Sequence, residues 1–170
     1  MANGNGIDGL VRALAAAPSE AAADRLLAEG LCGATGALAA AVMRFEPDAG
    51  RLRVSHISAG DGFLGSVRRL LGQPIESLDL RPGAALAEIQ GGPMAIEFHG
   101  LHQALFGQVP EEVSSMLELS LGIGRSYGLA LRRGEQLLGT ASIFMPVGGG
   151  SLEVPELTGW AGMIAGALRQ

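Results

Sequence analysis

Residues 127 to 145 leave the chain little choice of local structure. Tyr127, Leu129 and Leu131 alternate with Gly128, Ala130 and Arg132, and the polar tripeptide Arg133-Gly134-Glu135 follows. A second apolar run, Leu137-Leu138-Gly139-Thr140-Ala141-Ser142-Ile143-Phe144-Met145, then continues to Pro146 and the glycines at 148 to 150. A period of two places alternate side chains on opposite faces of a strand. Two such runs joined by a short glycine-containing turn predict a β-hairpin.

A second hairpin is expected earlier. Leu38 to Phe45 is an almost uninterrupted apolar run, and the turn Pro47-Asp48-Ala49-Gly50 leads into residues 51 to 58. There Leu52, Val54 and His56 share one face, while Arg51 and Arg53 take the other. Helices flank and separate the hairpins. Ile7, Leu10, Val11 and Leu14 form a helical stripe over 7–17, and Pro18 breaks it. Ser19 is positioned to cap a second helix whose buried face is Leu26, Leu27 and Leu31. Phe63, Leu64, Val67, Leu70 and Leu71 mark a third helix; Val113, Met116, Leu117 and Leu121 mark another, with Pro110 at its start. Residues 75 to 109 form an irregular crossover in which Met94 to Phe98 reads as a short strand. The final helix begins near Pro155. Its Val154, Leu157, Ala161, Ile164 and Leu168 are spaced 3, 4, 3 and 4, a heptad-like seam.

This order predicts an α+β domain with one mostly antiparallel sheet. The N- and C-terminal helices pack on one face, and the short helices and crossover cover the other. No repeat or low-complexity linker divides the 170 residues, so one domain over 1–170 is expected, with a core at about 19–168 and an N-terminal helix at 7–17.

Composition limits function. Apolar residues make up 48% and charged residues 17%, which argues against disorder. The net charge is −5, all 12 basic residues are Arg, and they are scattered apart from Arg68–Arg69 and Arg132–Arg133. No basic stripe follows a phosphate backbone, so direct nucleic-acid binding is not expected. A P-loop needs a Lys the chain does not have. The lone Cys32 excludes an internal disulfide and a multi-thiol metal site. The N-terminus lacks signal-peptide character, and no apolar stretch is long enough to span a bilayer. The expectation is a cytoplasmic protein without membrane insertion. No Gly-x-Ser-x-Gly or nucleophile–His–acid arrangement occurs, so an enzyme is not expected.

The order of elements, and the stretch Tyr127 to Ile143 above all, resembles the GAF domain family, whose fold is related to PAS. The strand, tight polar turn and return as Leu137-Leu138-Gly139-Thr140 are similar to the final GAF hairpin, particularly that of sensor histidine kinases. Pro155-Glu156-Leu157 entering the last helix fits the same pattern. So does the helix with Arg25-Leu26-Leu27 and Gly33-Ala34 leading into Leu38 to Phe45. The resemblance covers roughly residues 19 to 168 and implies a small-molecule-sensing module of a two-component type of system. It also implies a pocket between sheet and middle helices, and a homodimer through the terminal helices. The ligand stays open. The Asn-Lys-x-Phe-Asp-Glu pattern of cyclic-nucleotide GAF domains is absent. One cysteine cannot perform the disulfide exchange of the methionine-sulfoxide-reducing members. Cys32 lies in a helix away from the pocket region, which argues against a covalent bilin.

Within that framework, the residues facing a ligand are expected to include His56, Met94, Phe98, His99, His102, Phe106 and Tyr127. His99 and His102 are spaced i, i+3 beside Phe98 and Phe106, and one could be an axial ligand to haem iron. A two-His metal site lacks an obvious third ligand, so no other metal is expected. The plainer reading is two partly exposed loop histidines, a core histidine at 56 and a core aromatic at Tyr127. Leu157, Ala161, Ile164 and Leu168 are the expected dimer seam. A ligand-free dimerisation module is the alternative function.

Overall fold

The computed structural model describes residues 4–168. Helix α1 (Gly4–Ala15) and α2 (Glu20–Thr35) precede a hairpin of β1 (Ala39–Glu46) and β2 (Arg51–Ala59). Helix α3 (Asp61–Leu71), two 3-10 turns and the short α4 (Leu86–Gly91) lead to β3 (Ala95–Phe98). Then come α5 (Leu101–Ala104), α6 (Glu111–Leu121), the long hairpin of β4 (Ile123–Arg133) and β5 (Gln136–Pro146), and α7 (Val154–Ala167). The five strands form one sheet in the order β2-β1-β5-β4-β3, and every neighbouring pair is antiparallel.

Local signals explain the ends of the helices. The Ser19 hydroxyl accepts from the Ala22 N–H at 3.1 Å at the start of α2, satisfying one of the orphan donors of the first turn. Gly36, at φ 75°, closes the same helix and donates to the Cys32 carbonyl, a left-handed cap that glycine adopts without a Cβ clash. At the other end of the chain, the Arg133 guanidinium donates to the carbonyls of Ala165 and Leu168. A cation is favourable there because the last carbonyls of a helix lack partners.

One face of the sheet carries α1, α2 and α7. Ala40, Val42, Tyr127, Leu129, Leu131, Ala141, Ile143 and Met145 point into this layer and meet Ile7, Leu14, Leu27 and Leu31 from the first two helices. Helix α7 lies over β4 and β3 and against α1. Its seam is spent there: Leu157, Ala161, Ile164 and Leu168 are 0–2% exposed. The heptad spacing therefore marks the contact of the helix with its own sheet, and it presents no apolar seam to a second copy. The solvent side of α7 carries Thr158, Gly159, Gly162 and Met163 instead.

The opposite face is covered by α3, α5 and α6, which close over Ala39, Ala41, Met43, Leu52, Val54 and Phe144. A β-bulge between Val42 and Met43 of β1 and the facing part of β2 alters the register, so that Val54 pairs with Met43 but His56 pairs with Val42. The bulge inserts Ser55 and moves His56 off the face shared by Leu52 and Val54. Strand periodicity alone predicts one face for all three; the bulge puts His56 on the α2 side.

Two polar features lock the terminal layer to the sheet. Asp24 of α2 is fully buried and takes a bidentate contact from the Arg44 guanidinium of β1, at 2.6 to 3.1 Å. The Ser55 hydroxyl at the bulge donates to the other side of the same carboxylate at 2.5 Å. Gly139 of β5 lies opposite Arg44 and Leu131, and a Cβ there would fall on the Met43 carbonyl oxygen. That oxygen belongs to a central strand and cannot swing away as a side chain would. Gly139→Ala is therefore expected to cost about 2–3 kcal/mol, readable as a lower midpoint in urea unfolding with an unchanged slope.

Candidate functional site

The second face is not filled uniformly. In the middle of β4 and β5 four residues facing the middle helices are small: Gly128 and Ala130 on one strand, Ser142 and Thr140 opposite them. Ala41 of β1 pairs with Ser142 and extends the small-residue floor. Four small residues side by side on two paired strands leave space above them. Here that space is a cavity of about 130 Å³. Its walls are Ala85, Glu88 and Ile89 at α4, Pro93 and Ile96 at β3, and Phe98, Gln103 and Phe106 around α5.

Several contacts hold these walls in place. Gly128 lacks the Cβ that would run into the Phe98 ring, so the ring can lie across the strand. Arg132 of β4 donates to the Gly92 carbonyl at 2.6 Å and ties the end of α4 to the sheet. Glu118 of α6 accepts from the Leu101 N–H at 2.9 Å and fixes the start of α5. Phe106 sits at φ 55°, in the left-handed region that is uncommon for a large non-glycine side chain. Such a residue persists only where its surroundings over-determine it. Phe106 ends the α5 turn through a hydrogen bond from its N–H to the Gln103 carbonyl, and its ring is a cavity wall.

The floor carries the site's chemistry. Thr140 is 7% exposed, and its Oγ1 has no hydrogen-bond partner. A buried hydroxyl left unpaired loses about 1–3 kcal/mol of solvation without return, so an unpaired one at a cavity wall needs a reason. Glu88 is the one ionisable side chain of the lining, and it is exposed at the rim. Among the described residues no Arg or His lines the cavity.

A search of solved structures returns neighbours that share this architecture from end to end. The GAF domain of an Acinetobacter phosphoenolpyruvate-protein phosphotransferase aligns over 96% of this chain and 90% of its own, with a TM-score of 0.65 at 8% identity. The GAF domain of the corresponding Coxiella burnetii protein aligns over 95% and 89%, with a TM-score of 0.63 at 17% identity. This chain has the GAF fold. The chromophore-binding domain of a bacteriophytochrome from R. palustris aligns over 96% of this chain, with a TM-score of 0.60 at 14% identity; this chain spans 58% of that one. No sequence-family profile matches the chain, and no curated protein matches it by sequence.

On this GAF scaffold the candidate ligand residues separate. Phe98 and Phe106 line the cavity together. Met94 packs toward the terminal-helix layer, and the bulge turns His56 toward α2. Tyr127 is fully buried on the terminal-helix face, where its hydroxyl accepts from the Leu152 N–H at 2.9 Å. Strand alternation accounts for this: Gly128 faces the cavity, so Tyr127 must face away. His99 is exposed, and its N–H donates to Gln103 Oε1 at 2.6 Å. His102 Nδ1 lies 2.7 Å from the Val109 carbonyl oxygen. A carbonyl only accepts, so this nitrogen carries the proton.

Neither His99 nor His102 lines the cavity, and a cavity of about 130 Å³ is several times too small for a tetrapyrrole. The site does not fit haem or a bilin. Cys32 is remote from the cavity lining: its thiol donates to the Ser58 carbonyl, and burial raises its pKa above the ordinary value. Among the described residues no group of three or more His, Cys, Asp or Glu is placed to hold a metal ion, and no helix is long and apolar enough to cross a membrane.

The sequence pattern singles out Met94, Phe98, His99, His102 and Phe106 of the crossover, with His56 and Tyr127, and none of the four floor residues. The signal for the floor was present. Thr140 and Ser142 interrupt an apolar strand at a spacing of two, and Gly128 and Ala130 do so on the facing strand. Small residues repeated on one face of two adjacent central strands leave a cavity.

Proposed function

We propose that the chain is a non-enzymatic, cytoplasmic sensing domain of a two-component or similar signalling system. It holds a small molecule over β4 and β5 and passes that occupancy to the terminal helices. The observation that carries this reading is the buried, unpartnered Thr140 hydroxyl on the floor of the cavity. A route for the signal is built into the strand period. Thr140 and Ser142 face the cavity, while Ala141 and Ile143, which alternate with them, are fully buried against the terminal-helix layer. A shift of β5 on one face is a shift on the other. The neighbours support a binding role by analogy, since the R. palustris domain is described as chromophore-binding.

The alternative reading, a ligand-free dimerisation module, loses its main support once the α7 seam is buried in the monomer. A homodimer through the terminal helices would have to meet across their outer faces, near Gly159, Gly162 and Met163.

The test is a fragment library screened by ligand-observed NMR against the wild-type chain and Ala130→Leu, which fills the cavity from its floor. Hits on the wild type that vanish in a folded Ala130→Leu are expected. They should also raise the wild-type melting temperature with concentration, as any ligand specific to the native state does. A wild type without hits, or hits indifferent to the substitution, would remove the sensing role from this cavity.

A further inference from the structure

The size and lining of the cavity also narrow the chemistry of its occupant, on the reading that it takes a ligand. Its volume of about 130 Å³ is close to that of an apolar cavity of about 150 Å³ that takes a single benzene ring. It lies below the roughly 300–1,000 Å³ of pockets for drug-sized ligands. Ile89, Ile96, Phe98 and Phe106 make most of its walls hydrocarbon, with the Gln103 amide as the polar exception, and the two rings offer faces and edges to an aromatic guest. Charge is unwelcome. Among the described residues no cationic side chain lines the cavity, and the carboxylate of Glu88 stands at its rim. A carboxylate or phosphate entering here would lose its hydration and gain no counter-charge. Yet the floor is not inert, because Thr140 Oγ1 is buried without a partner.

We infer that the cavity takes an uncharged, single-ring molecule with one hydrogen-bonding group. The ring packs against Phe98 and Phe106, and its hydroxyl or amide meets the Thr140 hydroxyl, whose Oγ1 is sealed by its neighbours and reaches the guest by rotation about χ1. A purely apolar ring leaves the Thr140 hydroxyl unmet, and a fused or larger ring system would extend past the rim, where Glu88 and Gln103 are exposed.

The test is titration calorimetry on the full chain with four probes: phenol, toluene, benzoate and adenosine 3′,5′-cyclic monophosphate. Phenol should bind the wild type about tenfold more tightly than toluene, a difference of one hydrogen bond. In Thr140→Val, phenol should fall about tenfold and toluene should hold. Ala130→Leu should abolish both, with Ile89→Trp, a wall substitution on the α4 side, as the second filling variant if the first fails to fold. Benzoate and the cyclic nucleotide should not bind. If either charged probe binds and a filling variant abolishes it, the ligand class is wrong and the sensing cavity stands. Phenol affinity untouched by Thr140→Val overturns the role of the hydroxyl. Failure of all four probes also overturns the ligand class, while the wider fragment screen then decides the sensing role. Binding that survives both filling variants places the site elsewhere and overturns both readings.

Discussion

Replacing Asp24 with alanine is expected to destabilise the domain by about 3–5 kcal/mol, the range for breaking a buried ion pair from one side. Asp24 is fully buried and Arg44 is 7% exposed, so neither partner can recover its hydration without opening the layer between α2 and the sheet. With the carboxylate gone, the guanidinium leans on Glu20, which lies 3.7 Å away and is about half exposed. The Ser55 hydroxyl loses its acceptor as well. In a chain of 170 residues this amounts to a fall in melting temperature on the order of 10 °C. Asp24→Leu combined with Arg44→Met should recover most of the loss, because an apolar pair of similar volume removes both desolvation penalties. A single Asp24→Ala within experimental error of wild type in urea unfolding would show that the pair is not buried as described. A double variant no better than the single would mean that the pair itself, and not the desolvation of one orphaned charge, holds the layer.

The second large effect is expected on α7. Ile164→Glu puts a carboxylate at a position with no exposed surface, in the layer where α7 meets the sheet and α1. Burying an unpaired charge costs several kcal/mol even after relaxation, a large part of the roughly 5–15 kcal/mol that holds a domain together. Met163→Glu, one residue earlier and 43% exposed, should stay within about 0.5 kcal/mol of wild type. The contrast identifies which face of the helix is inward. A folded Ile164→Glu chain whose mass by light scattering drops from dimer to monomer would show that the seam joins two copies and that its burial within one chain is wrong.

The same helix shows how pattern and environment part company. The 3, 4, 3, 4 spacing of Val154 to Leu168 correctly gives a helix with one apolar stripe. The spacing does not say whether the stripe meets another helix or a sheet, since both want the same residues. Here β4 and β3 lie beneath it. His56 shows the same limit in a strand. Alternation places it with Leu52 and Val54 unless a bulge intervenes, and a bulge is a property of two paired strands. Cys32 and His102 are similar cases, for the Ser58 and Val109 carbonyls that hold them are set by the packing of neighbouring elements and loops.

For the site, Phe98 and Phe106 were legible because aromatic residues concentrate in an otherwise irregular crossover. The histidines beside them were misleading: a side chain one or three positions along a loop can point anywhere. The floor of Gly128, Ala130, Thr140 and Ser142 was legible in principle, but only once β4 and β5 are paired in register.

The elements and their order follow from local signals. Period, caps and turn residues act within a few positions of the chain, and they place two hairpins among helices with terminal helices to share a face. Contacts between distant segments set the rest: the strand order β2-β1-β5-β4-β3, the bulge that turns His56 away, the burial of the α7 seam and the pairing of Asp24 with Arg44. They also set the cavity, because empty space over a sheet belongs to no single segment. The space exists where four small side chains from two strands come to lie under helices that cannot reach down to fill it.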